Sequence, residues 1–569
     1  ATATCGGVSR YDLRTLLPSG ACATATCGGV SRYDLRTLLP VSCRVPSQQS
    51  RTSDLNAEYS RGALGDFFAL QPGDVDGAMA QRRTVDRSAL VAALARYAER
   101  FGAHEAVRRN LEKLAHPAAR VVVTGQQTGL MLGPLYTLSK AYAAINLAKR
   151  LDTPERPVVP VFWLASQDHD VAEIDHTYLL DSSETLRRVS VRLPDGVPAG
   201  RVPLLDEYVD TVIAAITAMT PEARCRALVT RMLQTSARAS TSFADWFGAQ
   251  VYALLGETGL ILVDPLERDV ASQFGPVLRR ELEDPAVTPA AINDAGRRLK
   301  ELGFEPQLGR GADATNLFVE LTDADVPRRV LLRWDGRSFS ADGRRFSRTD
   351  LLAMLDDDPS VITPAAGLRP VTQDALLPTA VFVLGPGELK YVAQLGGVYR
   401  HHHVPMPLAW PRARVTVLEP AAARLLDGFG LSADEFKGRG SSVLGEMLLE
   451  RHGHAGSFNR AAGELETLFD ELLAEAAAID PTLKGTVARG RRHLDITLHK
   501  LRGKSAAALA RRDSDVKRQV ERLSAHLVPL GQDAERVLSP YSHILKFGAR
   551  PLLDRFAQLE PSGSQELRL

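Results

Sequence analysis

Apolar and polar positions follow three patterns along the chain. Short unbroken apolar runs at 121–124, 158–164, 260–263 and 380–384 predict buried strands. Segments with apolar residues three or four apart predict helices: around Leu64, Phe67 and Phe68, and at 90–101, 106–114, 206–255, 271–282 and 290–302. Shorter runs at 178–180, 186–193, 406–410 and 415–417 read as further strands. Strands alternating with helices imply a parallel α/β sheet. The clearest unit is V-V-V-T-G-Q-Q-T-G-L-M-L-G-P-L-Y-T-L-S-K, an apolar helix opening at Pro134, then V-V-P-V-F-W-L-A-S-Q-D-H-D. Its polar clusters, 124–127 and 167–170, fall at the carboxyl ends of strands, where such sheets bind ligands.

The pattern changes twice. Between 316 and 346, apolar residues alternate around the turns Asp335-Gly336 and Asp342-Gly343, which predicts a small antiparallel insertion. From 368 to 395 the α/β pattern returns. Beyond about 441 no strand is predicted. There Leu465, Leu468, Leu472, Ile479, Leu483, Val487, Leu494, Leu498 and Leu501 step mostly by three, four or seven, and Val516, Val520, Leu523 and Leu527 resume the pattern. This reads as a long helical pair with a coiled-coil seam, broken near Pro481 and suited to dimerisation. Residues 1–18 recur unchanged at 23–40, so 1–43 is read as a duplicated extension, expected to be disordered. The expected division is a core over 44–315 with a helical insertion, an antiparallel insertion over 316–350, the second part of the core over 351–440 and a helical coiled-coil domain over 441–569.

Bulk properties narrow the function. A chain of 569 residues implies two or three domains. The net charge of +1 gives no electrostatic case for nucleic acid or a membrane surface, and no apolar run of membrane-spanning length is present. Four of the five cysteines lie in the first 43 residues, leaving only Cys225 beyond them, so a cytoplasmic protein is expected.

Three clusters carry candidate chemistry. Gly125, Gly129 and Gly133 permit tight turns before a helix N-terminus, an arrangement suited to an anion, unless they serve only as turn punctuation. Gln126 and Gln127 add uncharged donors. Thr137 and Lys140 share a helix face, with Lys140 placed to neutralise a bound anion. The loop has neither G-x-G-x-x-G nor a Gly-Lys-Ser/Thr phosphate signature. The second cluster is Asp168, His169, Asp170, Glu173, Asp175 and His176. It suits a general base or ammonium contact, a metal held by His169, Glu173 and His176 at helical spacing, or simple helix capping. The third is Arg369, Gln373 and Asp374 with Gly385, Pro386, Gly387, Glu388 and Tyr391. Here Arg369 offers a fork for carboxylate or phosphate, or forms a structural ion pair, and Glu388 complements a helix start. The G-P-G-E loop is expected to face the first loop. His401, His402 and His403 read as a solvated extended segment, whose alternating faces cannot share one ion.

Together, T-G-Q-Q-T-G-L-M-L-G-P-L-Y-T-L-S-K, P-V-F-W-L-A-S-Q-D-H-D-V-A-E-I-D-H, L-R-P-V-T-Q-D-A-L-L-P-T and G-P-G-E-L-K-Y resemble the bacillithiol biosynthesis cysteine-adding enzyme family, BshC. The resemblance runs from about residue 44 to the C-terminus. It implies a Rossmann-like parallel-sheet core with an inserted connecting subdomain and a C-terminal α-helical coiled-coil domain that dimerises. It also implies a ligase that adds cysteine to the amine of glucosaminyl malate, with ATP as the activating co-substrate and no assigned metal. The first loop stands where class I synthetases carry H-x-G-H, and it contains no histidine. Such chemistry assigns anion binding to Gly125, Gly129, Gly133, Gly385 and Gly387, with Lys140 and Arg369 as cations. It assigns proton removal to Asp168, His169 or Asp170. Substrate contacts fall to Gln126, Gln127, Tyr136, Thr137, Trp163, Arg369, Gln373, Glu388 and Tyr391. The rival readings are a metal-dependent hydrolase using 168–176 and a non-enzymatic coiled-coil scaffold.

Overall fold

The computed structural model describes residues 54–323 and 326–569, so the expectation for 1–43 lies outside the described residues. In chain order the strands are β1 (Arg120–Gln126), β2 (Val158–Leu164), β3 (His176–Leu180), β4 (Leu186–Ser190) and β5 (Ile261–Val263). Next come β6 (Ala314–Asp323), β7 (Val326–Trp334), β8 (Phe339–Ala341), β9 (Arg344–Phe346) and β10 (Ile362–Pro364). The last are β11 (Thr379–Leu384), β12 (Leu408–Pro411), β13 (Arg414–Leu418) and β14 (Ser564–Arg568).

The central sheet has the order β12-β11-β1-β2-β5 and every pairing in it is parallel. Its strands are the clean apolar runs because both faces are covered. Val121 and Val123 of β1 enter one core cluster, and Val122 enters another with Ala143, Ala144 and Leu147 of the helix Tyr136–Leu151. Successive side chains thus leave on opposite faces, each against its own layer. From β1 the chain winds outward to β2 and β5, then returns to β11 on the other side of β1 and on to β12. The order reverses between β1 and β11, and the crevice at their carboxyl ends is where such a sheet binds ligands. This is the expected α/β class.

The structure corrects three expectations outside the core. The antiparallel sheet is larger than 316–350: it runs β10-β6-β7-β8-β9, and β10, from the stretch assigned to the core, pairs with β6. A three-residue strand is too short for its period to show in sequence. The C-terminal region is not wholly helical, since β14 returns to pair in parallel with β13. Its sequence S-Q-E-L-R lacks apolar alternation because only Leu567 is buried. His401 and His402 are helical (Gly396–His402), and His403 closes the helix in a left-handed conformation. His402 is buried, with Nε2 3.0 Å from Glu281, so it is a packed core residue and not part of a solvated loop.

Beyond β13 two long helices, Ala455–Ile479 and Lys484–Arg512, form a hairpin turned by Pro481–Leu483. Among the described residues no helix is long and apolar enough to cross a membrane.

Candidate active site

A cleft of about 910 Å³ opens at the carboxyl ends of β1, β2 and β11. Gly125, Gln126 and Gln127 of the first loop, the 167–173 segment after β2 and Gly385–Glu388 after β11 line it. Gly125 is required by close packing, since a Cβ there would lie 2.7 Å from the Trp163 carbonyl oxygen. Trp163 forms the floor. It is buried, and its indole N–H has no partner among the described residues.

Lys140 ties two loops together. Its Nζ donates to the Gly125 carbonyl (2.9 Å) and Gln126 Oε1 (2.9 Å), and lies 2.6 Å from Glu388 Oε2. All three ammonium hydrogens therefore have acceptors, so Lys140 holds the cleft wall and is not a free counter-ion. Burial lowers its pKa and Glu388 opposes that shift. The Glu388 carboxylate also accepts from Gly385 N (2.8 Å), closing the start of the helix Pro386–Val392. The G-P-G-E loop thus meets the first loop, as expected.

Above Lys140 the cleft is cationic. Tyr136 hydrogen-bonds Gln126 Nε2 (3.1 Å), and its ring is approached by Lys140 Nζ (5.8 Å), the Arg412 guanidinium (5.4 Å) and the Arg536 guanidinium (6.0 Å). Arg412 is buried and bidentate on Glu535 (2.7 and 2.9 Å), and its Nε has no partner among the described residues. Arg536 has no carboxylate partner among the described residues. Arg369 donates to Gln373 Oε1 (3.0 Å) and Tyr391 Oη (3.2 Å) over the Phe382 ring. This wall holds donors in excess of acceptors, which suits an anion.

Another part of the lining is acidic. Gln127 Nε2 donates to Asp168 Oδ2 (2.8 Å) and to Glu173, holding the two carboxylates side by side. Partial desolvation raises the Glu173 pKa, and the Asp170 and Asp168 charges add to it. Asp168 also accepts from His169 N (2.9 Å), while Asp170 caps the short helix Val171–Ile174. His169 Nδ1 lies 3.2 Å from Arg329 Nη1. A guanidinium can only donate, so Nδ1 is the acceptor and the neutral ring carries its proton on Nε2. Burial and Arg329 together lower the His169 pKa, which favours the neutral ring. The loop is anchored from below by Asp264, which accepts from Ser166 and from Leu266 N (2.9 Å) and whose carboxyl burial pushes up to about 7.

Of the expected site residues, Gly125, Gln126, Gln127, Tyr136, Lys140, Trp163, Asp168, His169, Asp170, Arg369, Gly385, Gly387, Glu388 and Tyr391 line this one cleft. Four do not. Gly129 and Gly133 belong to a turn packed beneath the loop, in which Met131 (φ +50°), Leu132 (φ +65°) and Gly133 (φ +62°) are all left-handed. Ser539 and Leu538 hold that turn through Met131 O (2.8 Å) and Leu135 N (2.7 Å), so it faces the C-terminal segment and its helix start is partly engaged there. Thr137 is buried in the interior. Gln373 is fully buried and reaches the cleft only through Arg369. The metal reading of 168–176 also fails in its premise. The helix ends at Ile174, and His176 starts β3 beside Asp175 (2.7 Å). Arg329, Arg412 and Arg536 were not anticipated. Arg412 directly follows β12, so its place at a strand end was readable. Arg329 and Arg536 arrive from other parts of the chain with no local signal.

Comparison with known proteins agrees with this architecture. The family model described as "Bacillithiol biosynthesis BshC, N-terminal Rossmann-like domain" matches residues 47–413. The one described as "Bacillithiol biosynthesis BshC, C-terminal coiled-coil domain" matches residues 415–565. A Thermus thermophilus protein named "Putative cysteine ligase BshC" is 38% identical over 459 residues, 80% of this chain and 89% of the relative. Relatives of the same name from Salinibacter ruber (32% over 526 residues, 90% of this chain and 94% of the relative) and Geobacillus kaustophilus (31% over 519 residues, 87% and 93%) extend the match.

Proposed function

The chain belongs to the bacillithiol biosynthesis BshC family, and we propose that it is the ligase joining the carboxyl group of cysteine to the amine of glucosaminyl malate, in the cleft between β1 and β11. The observation that carries this reading is that one cleft is lined by both kinds of charge. Arg369, Arg412 and Arg536 line it together with Asp168 and Glu173. Ligation needs both: cations for carboxylate and phosphate oxygens, and carboxylates for an attacking amine.

A carboxylate does not acylate an amine unaided. ATP, the co-substrate of this reading, supplies the phosphoryl or adenylyl group that makes the cysteine carboxyl an acyl donor. The orphaned donors Arg412 Nε and Trp163 Nε1, with the unpaired Arg536, fit such an anion. The substrate amine, having lost its ammonium proton to solvent, sits against Asp168 and Glu173, and Glu173 takes the second proton as the C–N bond forms and phosphate or AMP leaves. The raised pKa of Glu173 suits it to accept that proton. The His169 Nε2–H donates towards the acyl oxygen, held in that tautomer by Arg329. Lys140 and Glu388 keep the two loops in register and touch no substrate.

The hairpin Ala455–Arg512 is the proposed contact with a second copy of the chain. Leu468, Leu472, Leu494 and Leu501 are 41–55% exposed along it, an apolar stripe that a two-helix hairpin cannot cover alone.

Reconstitution tests the function. Purified protein with cysteine, glucosaminyl malate and ATP is expected to yield the amide with one nucleotide consumed per product, followed by mass spectrometry. Amide formed without nucleotide consumption would overturn the reading.

A further inference from the structure

A second pocket, of about 420 Å³, lies at the other edge of the central sheet. It is lined from the segments leading into β11 and β12, from residues 82–85 and from the helix Gly275–Glu283. Arg82, Arg83, Arg280 and His403 bring cationic or protonatable groups to it, and Asp374 is the carboxylate on its wall. None of the reaction proposed for the cleft uses this pocket.

Its polar groups are fixed and incompletely paired. Arg83 Nη1 donates to the Pro405 carbonyl (2.6 Å) and Nη2 to Gln81 Oε1 (2.6 Å), leaving Nε without a partner among the described residues. Arg280 Nη1 donates to the His401 carbonyl (3.2 Å). His402 is buried on the pocket wall: its Nε2 is engaged with Glu281 and its Nδ1 has no partner among the described residues. Burial raises the Asp374 pKa and the nearby Arg83 charge opposes that rise, while its oxygens accept from Tyr399 Oη (2.6 Å) and Gln373 Nε2 (3.1 Å), so Asp374 offsets Arg83 and leaves Arg82 and Arg280 as the cations the pocket offers a ligand. Guanidinium groups converging on a small pocket suit phosphate-type oxyanions, which each can bind by two parallel hydrogen bonds. The volume excludes a large ligand and accommodates a compact one.

One hydrogen-bond chain links the two sites. Asp374 of the second pocket accepts from Gln373 Nε2, and Gln373 Oε1 accepts from Arg369 Nη1, which lines the cleft (3.1 and 3.0 Å). Arg369 must donate, so the orientation of the Gln373 amide is fixed by its two neighbours. Charge placed beside Asp374 therefore acts on the cation of the cleft through one side chain.

We propose that this pocket is a second anion-binding site, specific for a compact phosphate or pyrophosphate group, that acts as an effector site for the cleft. Calorimetry of the full chain with inorganic pyrophosphate tests it. The wild type should bind at two sites. Arg82→Ala/Arg280→Ala should keep the cleft site and weaken the other by about tenfold or more, as expected for lost charge-assisted hydrogen bonds. Arg536→Ala should weaken the cleft site instead, which separates a failure here from a failure of the cleft assignment. Diffraction from crystals soaked in tungstate locates the second anion directly and does not depend on the variants folding. Anomalous density between Arg82 and Arg280 is the expected result. Its absence, or equal binding at the same number of sites by wild type and the double variant, overturns the proposal. An effector role further requires pyrophosphate to change the KM for cysteine more in wild type than in Arg82→Ala/Arg280→Ala. An identical change in both contradicts it.

Discussion

Lys140 Nζ lies 2.6 Å from Glu388 Oε2, and this buried pair bridges the two strands between which the sheet reverses its order. One partner comes from the helix after β1 and the other from the first turn of the helix after β11. Removing either charge leaves the other in a site only 5% or 22% exposed on its side chain. Lys140→Met and Glu388→Gln are each expected to cost about 3 kcal/mol, read as a lower urea midpoint, because a stranded buried charge is costlier than the lost pair. The double variant should recover part of that loss, so a strictly additive double would show that the pair is not coupled.

In the proposed mechanism Glu173 sets the acid limb of the rate. Its pKa is raised, so the unprotonated carboxylate that accepts the amine proton is lost at a higher pH than for an ordinary glutamate. The rate should fall as pH drops through that raised value. Glu173→Gln should lower kcat by about a hundredfold and flatten the limb. An unchanged profile in the variant assigns the limb to another group.

Glu419, just after β13, is buried with His543 Nδ1 and Lys546 Nζ each 2.9 Å away, and its pKa is pulled down to about 2. The sign follows from this depression. The stabilisation is fully present above the unfolded value near 4.5 and is lost as pH falls towards 2. The shift corresponds to roughly 3 kcal/mol. Urea midpoints of wild type and Glu419→Gln should differ at pH 7 and converge only as pH falls through about 2. A constant gap across that range would contradict the assignment.

The leucine stripe of the hairpin predicts a dimer in sedimentation. Leu468→Asp/Leu501→Asp should give a folded monomer with unchanged helical circular dichroism, since both residues are half exposed in the single chain. A dimer that persists in the double variant places the contact elsewhere.

Much of this was readable before the fold was known, and the remainder was hidden for identifiable reasons. The buried strands appear as apolar runs because both of their faces are covered, and each of the three core loops carries its polar word directly after such a run. Gly129 and Gly133 misled because glycine spacing reports where the backbone turns and not which way the turn faces. Thr137 misled because its helix is covered on nearly every side. Arg329 and Arg536 lie about 160 and 400 residues from the residues they meet, His169 and Tyr136, and no local period encodes such contacts. β14 was missed because an edge strand with one buried side chain has no apolar alternation.

The central claim is that the cleft activates the cysteine carboxyl and that Glu173 then deprotonates the amine. Cysteine labelled with 18O in its carboxyl group tests both steps in one mass-spectrometric measurement. The account predicts one 18O transferred to AMP or phosphate for each amide formed by wild type. With Glu173→Gln it predicts the same label transfer, trapped by hydroxylamine, and little amide. Amide formed without label transfer, or wild-type amide yield from Glu173→Gln, would contradict it.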